Sequence, residues 1–153
     1  MNWIQPVIDR TQSDIDYAIF IIGKIRSGNY TQDEFDIWNN GLKGCWNLSD
    51  TERISTNIKF LGSFLKIELP ELELVEIPTE SWFNELTNIL GILKSSYSTN
   101  DITENIPEQP ITTYDKLNTV ENILFEIHRI ITNKVFHYCG ENYYCGDSLG
   151  MLL

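Results

Sequence analysis

Apolar residues recur at helical spacing in five stretches of this chain. From Thr11 onward, Ile15, Ala18, Ile19, Ile22 and Ile25 follow the i, i+3, i+4, i+7 pattern of an amphipathic helix, with Thr11 and Asp14 spaced as a capping box and Ser27-Gly28-Asn29 as a stop. Thr31 with Glu34 forms a second box ahead of Phe35, Trp38 and Leu42, and Gly41 and Gly44 close that helix. Ser49 with Glu52 offers a third box, leading into Ile54, Ile58, Leu61 and Leu65. A fourth stripe runs through Trp82, Leu86, Ile89 and Leu93. A fifth, through Leu117, Val120, Leu124, Ile127 and Ile131, is the narrow seam of a helix pair or coiled coil. The spacing predicts helices at 11–27, 31–42, 49–67, 79–95 and 113–133.

The segments between and after these helices read differently. Pro70 and Pro78 break the helical period in Glu68–Glu80, where Glu71, Leu72, Glu73 and Leu74 alternate before the phase slips at Val75. This predicts an extended acidic arm or edge strand, lying on a neighbouring chain or on its own surface, with Leu72 and Leu74 inward and Glu71 and Glu73 outward. The polar stretch 95–110 reads as a surface wrap or a linker. Residues 135–153 are aromatic, β-prone and punctuated by glycine, which predicts a hairpin or a pair of short strands. Phe136, Tyr138, Tyr143 and Tyr144 leave more apolar surface there than a free tail exposes. A neighbouring protein is the favoured cover, and the helical core the alternative. The expected fold is therefore mainly α: a small domain of about five helices with an extended acidic arm and a short C-terminal β element. Three units follow along the chain, an N-terminal three-helix unit at 1–67, the arm with two further helices at 68–134, and a docking segment at 135–153.

Two internal repetitions stand out. Glu52–Ile58, Asn84–Leu90 and Asn118–Leu124 align without gaps as polar, polar, apolar, polar, polar helix starts, for which the general likeness of amphipathic helices is the plainer account. Tyr138-Cys139-Gly140-Glu141 is echoed by Tyr144-Cys145-Gly146-Asp147.

Length and composition narrow the function. At 153 residues, with 42% hydrophobic and 12% aromatic residues, the chain fills one domain core or two very small ones. Twenty-two acidic against eleven basic residues give a net charge of -11, so the basic stripe required by phosphate backbones is missing, and neither nucleic acid nor membrane is an expected partner. The apolar run Ala18–Ile22 is far short of the roughly 20 residues that span a bilayer. An opening without a basic or apolar leader, and an odd count of three cysteines, point to synthesis in a reducing cytoplasm.

Candidate chemistry is sparse. No G-x-S-x-G elbow, G-x-G-x-x-G turn or P-loop occurs, so no enzymatic activity and no cofactor are expected. His137, Cys139 and Cys145 form a conceivable zinc set, but the Cys-x5-Cys spacing is wider than a zinc knuckle, and small buried hydrophobes are the favoured reading of these cysteines. His128 flanks the fifth stripe as a polar neighbour. Among the tryptophans, Trp38 and Trp82 fall on core stripes. Trp3 and Trp46 lie outside helices and are the candidates for partner contact, with packing of the N-terminal arm onto its own domain as the alternative for Trp3.

The order of residues also carries a resemblance. Trp3-x-x-Pro6-x-x-Asp9-Arg10-Thr11 ahead of a helix, Leu42-Lys43-Gly44, and Asp50-x-x-Arg53-Ile54-x-x-Asn57-Ile58 at the start of another resemble small tail-associated structural proteins of phages and prophages of Gram-positive bacteria. The likeness covers roughly the first 65 residues and extends to the closing Tyr-Cys-Gly duplication. Between Glu68 and Lys134 it is thin, and Thr119 stands where arginine is usual in the third repeat. It implies a virion protein of the tail, baseplate or fibre-attachment region that contacts other tail proteins, as a homo-oligomer or ring, after passage through the host cytoplasm. A small acidic cytoplasmic regulator, of phage or host, that binds another protein is the alternative, and a hydrolase whose site is not legible in the sequence is a third.

Overall fold

The computed structural model describes residues 2–96 and 104–140, the stretch 134–140 as backbone. Among the described residues the chain forms five helices and no strand: α1 (Gln12–Ser27), α2 (Gln32–Asn39), α3 (Leu48–Leu65), α4 (Glu80–Ser96) and α5 (Tyr114–Gly140). The protein is mainly α.

The helix starts are set by short-range hydrogen bonds. Thr11 and Thr31 each close a capping box, with Asp14 Oδ2 accepting from the Thr11 N–H at 2.8 Å and Glu34 Oε2 from the Thr31 N–H at 2.8 Å. The third start lies two residues earlier than expected. Asn47 is the N-cap, and its N–H donates to Asp50 Oδ2 at 2.9 Å, so the Ser49 and Glu52 pair takes no such role. Asn47 prevails because its amide is also held by the preceding turn, donating to the Leu42 and Cys45 carbonyls at 3.0 Å each. Thr79 and Thr113 cap α4 and α5 through hydrogen bonds from Trp82 and Lys116.

Helices α3, α4 and α5 make one core, and each touches the other two. All three run the same way. Asp50 and Arg53 of α3 meet Glu121 of α5 near the helix starts, and further along Phe60 meets His128. Trp46 before α3, Phe83 of α4 and Leu117 of α5 line one cavity at that same end. Parallel neighbours require extended returns, since a short turn reverses direction, and the chain supplies two.

The first return is the acidic arm. It descends along α3, with the Ile67 N–H on the Gly62 carbonyl at 3.0 Å, Ser55 Oγ donating to the Leu72 carbonyl at 3.3 Å and Thr51 Oγ1 to the Val75 carbonyl at 2.8 Å. The Trp82 indole donates to the Glu73 carbonyl at 2.8 Å from the other side. Leu72 is buried as expected, and Glu71 and Glu73 face outward, but Leu74 is 59% exposed rather than inward. The inward positions are Leu69, Leu72, Val75 and Pro78, a repeat of three. With no partner strand to impose a two-residue pleat, the arm takes the three-residue period of polyproline-like chain. The second return passes from Glu104, which accepts from Asn122 Nδ2 at 2.8 Å, to Ile111, which is buried at the foot of α5.

The three-way alignment in the sequence has a structural counterpart. Ile54, Leu86 and Val120 are each fully buried, as are Leu90 and Leu124, with Ile58 at 2%. Corresponding positions thus form successive layers of a parallel three-helix core.

Helices α1 and α2 pair as a hairpin on a second, smaller cluster of Ala18, Ile21 and Leu42. The core therefore groups the helices differently from the expected 1–67 and 68–134 units: α3 belongs with α4 and α5, because its buried face is longer and more apolar than anything the hairpin offers it. The hairpin returns to the bundle through Gly44, where a Cβ would lie 2.0 Å from the Asp14 carbonyl oxygen, so no side chain fits. At the other end, the expected β element after Lys134 does not begin there. α5 continues through Gly140, since extending an existing helix adds one hydrogen bond per residue without a new nucleus. Residues 141–153 lie outside the described residues.

Candidate functional site

The two sequence motifs that carried the resemblance meet in space. Arg10 is 4% exposed, and its Nη2 donates to Asp50 Oδ1 at 2.8 Å and to Glu121 Oε1 at 2.9 Å. Arg53 closes the cluster, gripping Glu121 through Nε and Nη2 at 2.7 Å each and also pairing with Asp50. Two guanidinium groups and two carboxylates balance. Burial works against the Arg53 charge, but the hydrogen bonds and charge of Glu121, then those of Asp50, outweigh it and hold the guanidinium well above its ordinary pKa.

The same residues hold the N-terminal arm by its backbone. Asn57 accepts from the Ile4 N–H at 2.9 Å and donates to the Ile4 carbonyl at 2.8 Å. Glu121 Oε2 accepts from the Val7 N–H at 2.9 Å, and Asn118 bridges the Arg10 N–H and carbonyl at 3.2 and 2.9 Å. Each polar position of Asp50-x-x-Arg53-Ile54-x-x-Asn57 thus has a defined task in latching residues 4–10 across α3 and α5. Pairing of this kind is a positioning device, and nothing in it presents a free nucleophile or base.

The aromatic candidates sort differently from the sequence expectation. Trp3 stacks on His128 at 3.9 Å with an interplanar angle of 11°, and lies edge-on to Phe60 at 5.8 Å. Burial lowers the His128 pKa, disfavouring a charge on the ring under the indole. Trp46 is wedged against Trp82 and Phe83 at 5.5 and 5.6 Å, with its Nε1 on Thr51 Oγ1 at 3.0 Å. Both are half-buried and packed against residues of the chain itself, and Leu72 is buried. Leu74 is exposed. Phe136 and Tyr138 lie in the last turns of α5, while Tyr143, Tyr144 and Cys145 lie outside the described residues, as do the side chains of His137 and Cys139, so the zinc alternative falls outside them too. Among the described residues no group of three potential ligands is placed to hold a metal.

Trp38, by contrast, was expected in the core and is 41% exposed. Helix α2 buries no residue at all. Its Phe35 stacks on Tyr30 at 5.5 Å and lies tilted against Trp38 at 5.6 Å, and Ile37 beside them is exposed. On α1, Phe20 is 55% and Ile19 63% exposed, with Lys24 over the Phe20 ring. The hairpin therefore presents aromatic and aliphatic side chains to solvent on two adjacent helices. The spacing predicts this helix at 31–42, but it ends at Asn39, and eight residues are too few to bury a stripe and also cover Trp38.

No family model and no solved structure matches the chain. Among curated proteins, a stretch of 94 residues is 31% identical to GTPase Era of Thermosipho melanesiensis, covering 56% of this chain and 31% of Era. The chain spans about a third of that protein's length.

Proposed function

We propose that this chain is a non-enzymatic structural protein of a phage tail, baseplate or fibre-attachment region, working through contacts with other tail proteins. The carrying observation is the α1–α2 hairpin, which exposes Phe20, Ile37 and Trp38 on its two helices and Tyr30 in the turn between them, while the bundle beside it buries a much larger apolar cluster. Interfaces are anchored by such rigid aromatic groups. The resemblance adds weight because its quoted residues act as one unit: Arg10 with Asp50 and Arg53, and Asn57 with the backbone of Ile4. Leu74 and Ile77, exposed on the outer side of the arm, form a second contact strip. Repetition of one contact patch around the tail axis accounts for a homo-oligomer or ring in the particle. The likeness to Era is not carried into this reading, because the chain contains no G-x-x-x-x-G-K-[ST] sequence to cradle a nucleotide's phosphates.

The test is mass spectrometry of salt-washed particles from a strain encoding the chain. A virion protein stays with the particles after washing. Its recovery only from cytosol would favour the acidic regulator instead. A double substitution of Phe20 and Trp38 to serine is expected to leave the chain folded but absent from particles.

A further inference from the structure

The cleft between the hairpin and the bundle has the make-up of a small-molecule site. It measures about 310 Å³, within the range of ligand pockets, and sits where two separately packed clusters meet. Its apolar wall comes from Ile15 on one side and from Trp46, Phe83, Ile111 and Leu117 on the other. Its charged lining is Arg10 and Lys43. In a chain with twenty-two acidic residues, none lines this cleft.

Three further observations set the sign of the occupant. The first turns of α4 and α5 line this cavity through Phe83, Tyr114 and Leu117, so two helix dipoles have their positive ends toward it. Arg10 commits its terminal nitrogens to Asp50, Glu121, Asn118 and the Val7 carbonyl, yet its buried Nε has no acceptor. A buried guanidinium donor without a partner is rare and calls for an acceptor. Lys43 at the rim shares its ammonium with Asp9 at 3.0 Å and Asp14 at 3.6 Å, which places the charge beside the opening and leaves it 39% exposed.

We propose that the cleft binds a compact apolar carboxylate, its ring or branched chain against Trp46, Phe83 and Leu117 and its carboxylate toward Arg10 and Lys43. This site is independent of the proposed role in the tail, which rests on the opposite, solvent-facing side chains of the hairpin. Neither reading requires the other.

Phenylacetate and its neutral amide, phenylacetamide, are the probes, titrated into the full chain and followed by amide proton–nitrogen correlation spectra. Phenylacetate should give saturable shifts confined to residues 43–46 and 112–117. Phenylacetamide should bind roughly tenfold or more weakly, the loss expected for one charge-assisted hydrogen bond. Lys43→Gln should weaken phenylacetate several-fold, and Ile15→Trp, which fills the cleft from the hairpin side, should abolish its shifts while the remaining spectrum shows the fold intact. If Ile15→Trp disturbs the fold, the carboxylate-to-amide ratio decides alone. Equal binding of the two probes, shifts scattered over the surface, or no saturation would overturn the proposal and leave a water as the acceptor for Arg10.

Discussion

The bundle and the hairpin are built from helices of similar apolar content and use it in opposite ways. The bundle buries sixteen apolar residues in one cluster and locks its edge with a balanced ion cluster, whereas the hairpin buries three and turns Ile19, Phe20, Ile37 and Trp38 outward. A helix gains stability from the face it covers, so the bundle holds the fold and the hairpin rides on it. Unspent apolar surface on a small attached element is what the proposed assembly role would use. The same surface inside the bundle would be core.

The largest test of this contrast is at the ion cluster. Glu121→Ala leaves the buried Arg10 and Arg53 with Asp50 as their one shared carboxylate and should cost about 3–5 kcal/mol in urea denaturation, because a buried charge left uncompensated is far dearer than the pair itself was worth. A loss below about 1 kcal/mol would mean that the cluster is wetter than its burial implies.

Next in size is a pair of truncations. Leu90→Ala in the fully buried layer should cost about 2–5 kcal/mol and lower the midpoint of the whole chain. Ile21→Ala in the hairpin cluster should instead speed hydrogen exchange in α1 and α2 while α3–α5 amides keep their protection. A common loss across both regions would show a single cooperative unit and erase the distinction.

Acid provides a gentler probe. The Thr11 hydrogen bonds hold the Asp14 carboxyl below its ordinary 3.8, and Lys24 followed by Thr31 holds that of Glu34 below 4.5. Groups whose folded pKa is depressed stabilise the fold above their unfolded pKa, and that contribution vanishes as pH falls through the lowered value. Below a pH of about 4, exchange in the first turns of α1 and α2 should therefore rise. Asp14→Asn and Glu34→Gln should remove the pH dependence of those turns.

The smallest effect on stability is expected where the effect on assembly is greatest. Phe20→Ser with Trp38→Ser should move the denaturation midpoint by no more than about 0.5 kcal/mol, the usual range for exposed positions. A larger loss would identify the aromatic set as a cryptic core of the hairpin.

Helix positions and two of the three expected capping boxes were legible because both depend on residues within one turn of each other. The exchange of roles among tryptophans was not. Trp38 sits on a regular stripe and is exposed because α2 is too short to seat it, while Trp3 and Trp46 sit on no stripe and are half-buried against residues far along the chain, His128 and Trp82. The phase of the arm escaped for a related reason. Alternation at Glu71–Leu74 implies a pleat, but a pleat needs a neighbouring strand, and the arm lies against helices. Arg10, Asp50 and Glu121 could not be joined from the sequence at all, since nothing local in any one of them announces the other two. The resemblance marked Arg10, Asp50 and Arg53 as belonging together without saying why.

The latch also sets a schedule. Arg10 must wait for Glu121, 111 residues later, and at roughly 5–20 residues per second the ribosome needs on the order of ten seconds to deliver it. Throughout that interval α1 and α2 can form and Asn57 and Asp50 of α3 can meet Ile4 and Arg10, but the Val7 N–H and Arg10 still lack their Glu121 acceptor. The arm of residues 4–10 is fully latched only once α5 has emerged, so any protein that captures this arm during translation would act before the fold has closed.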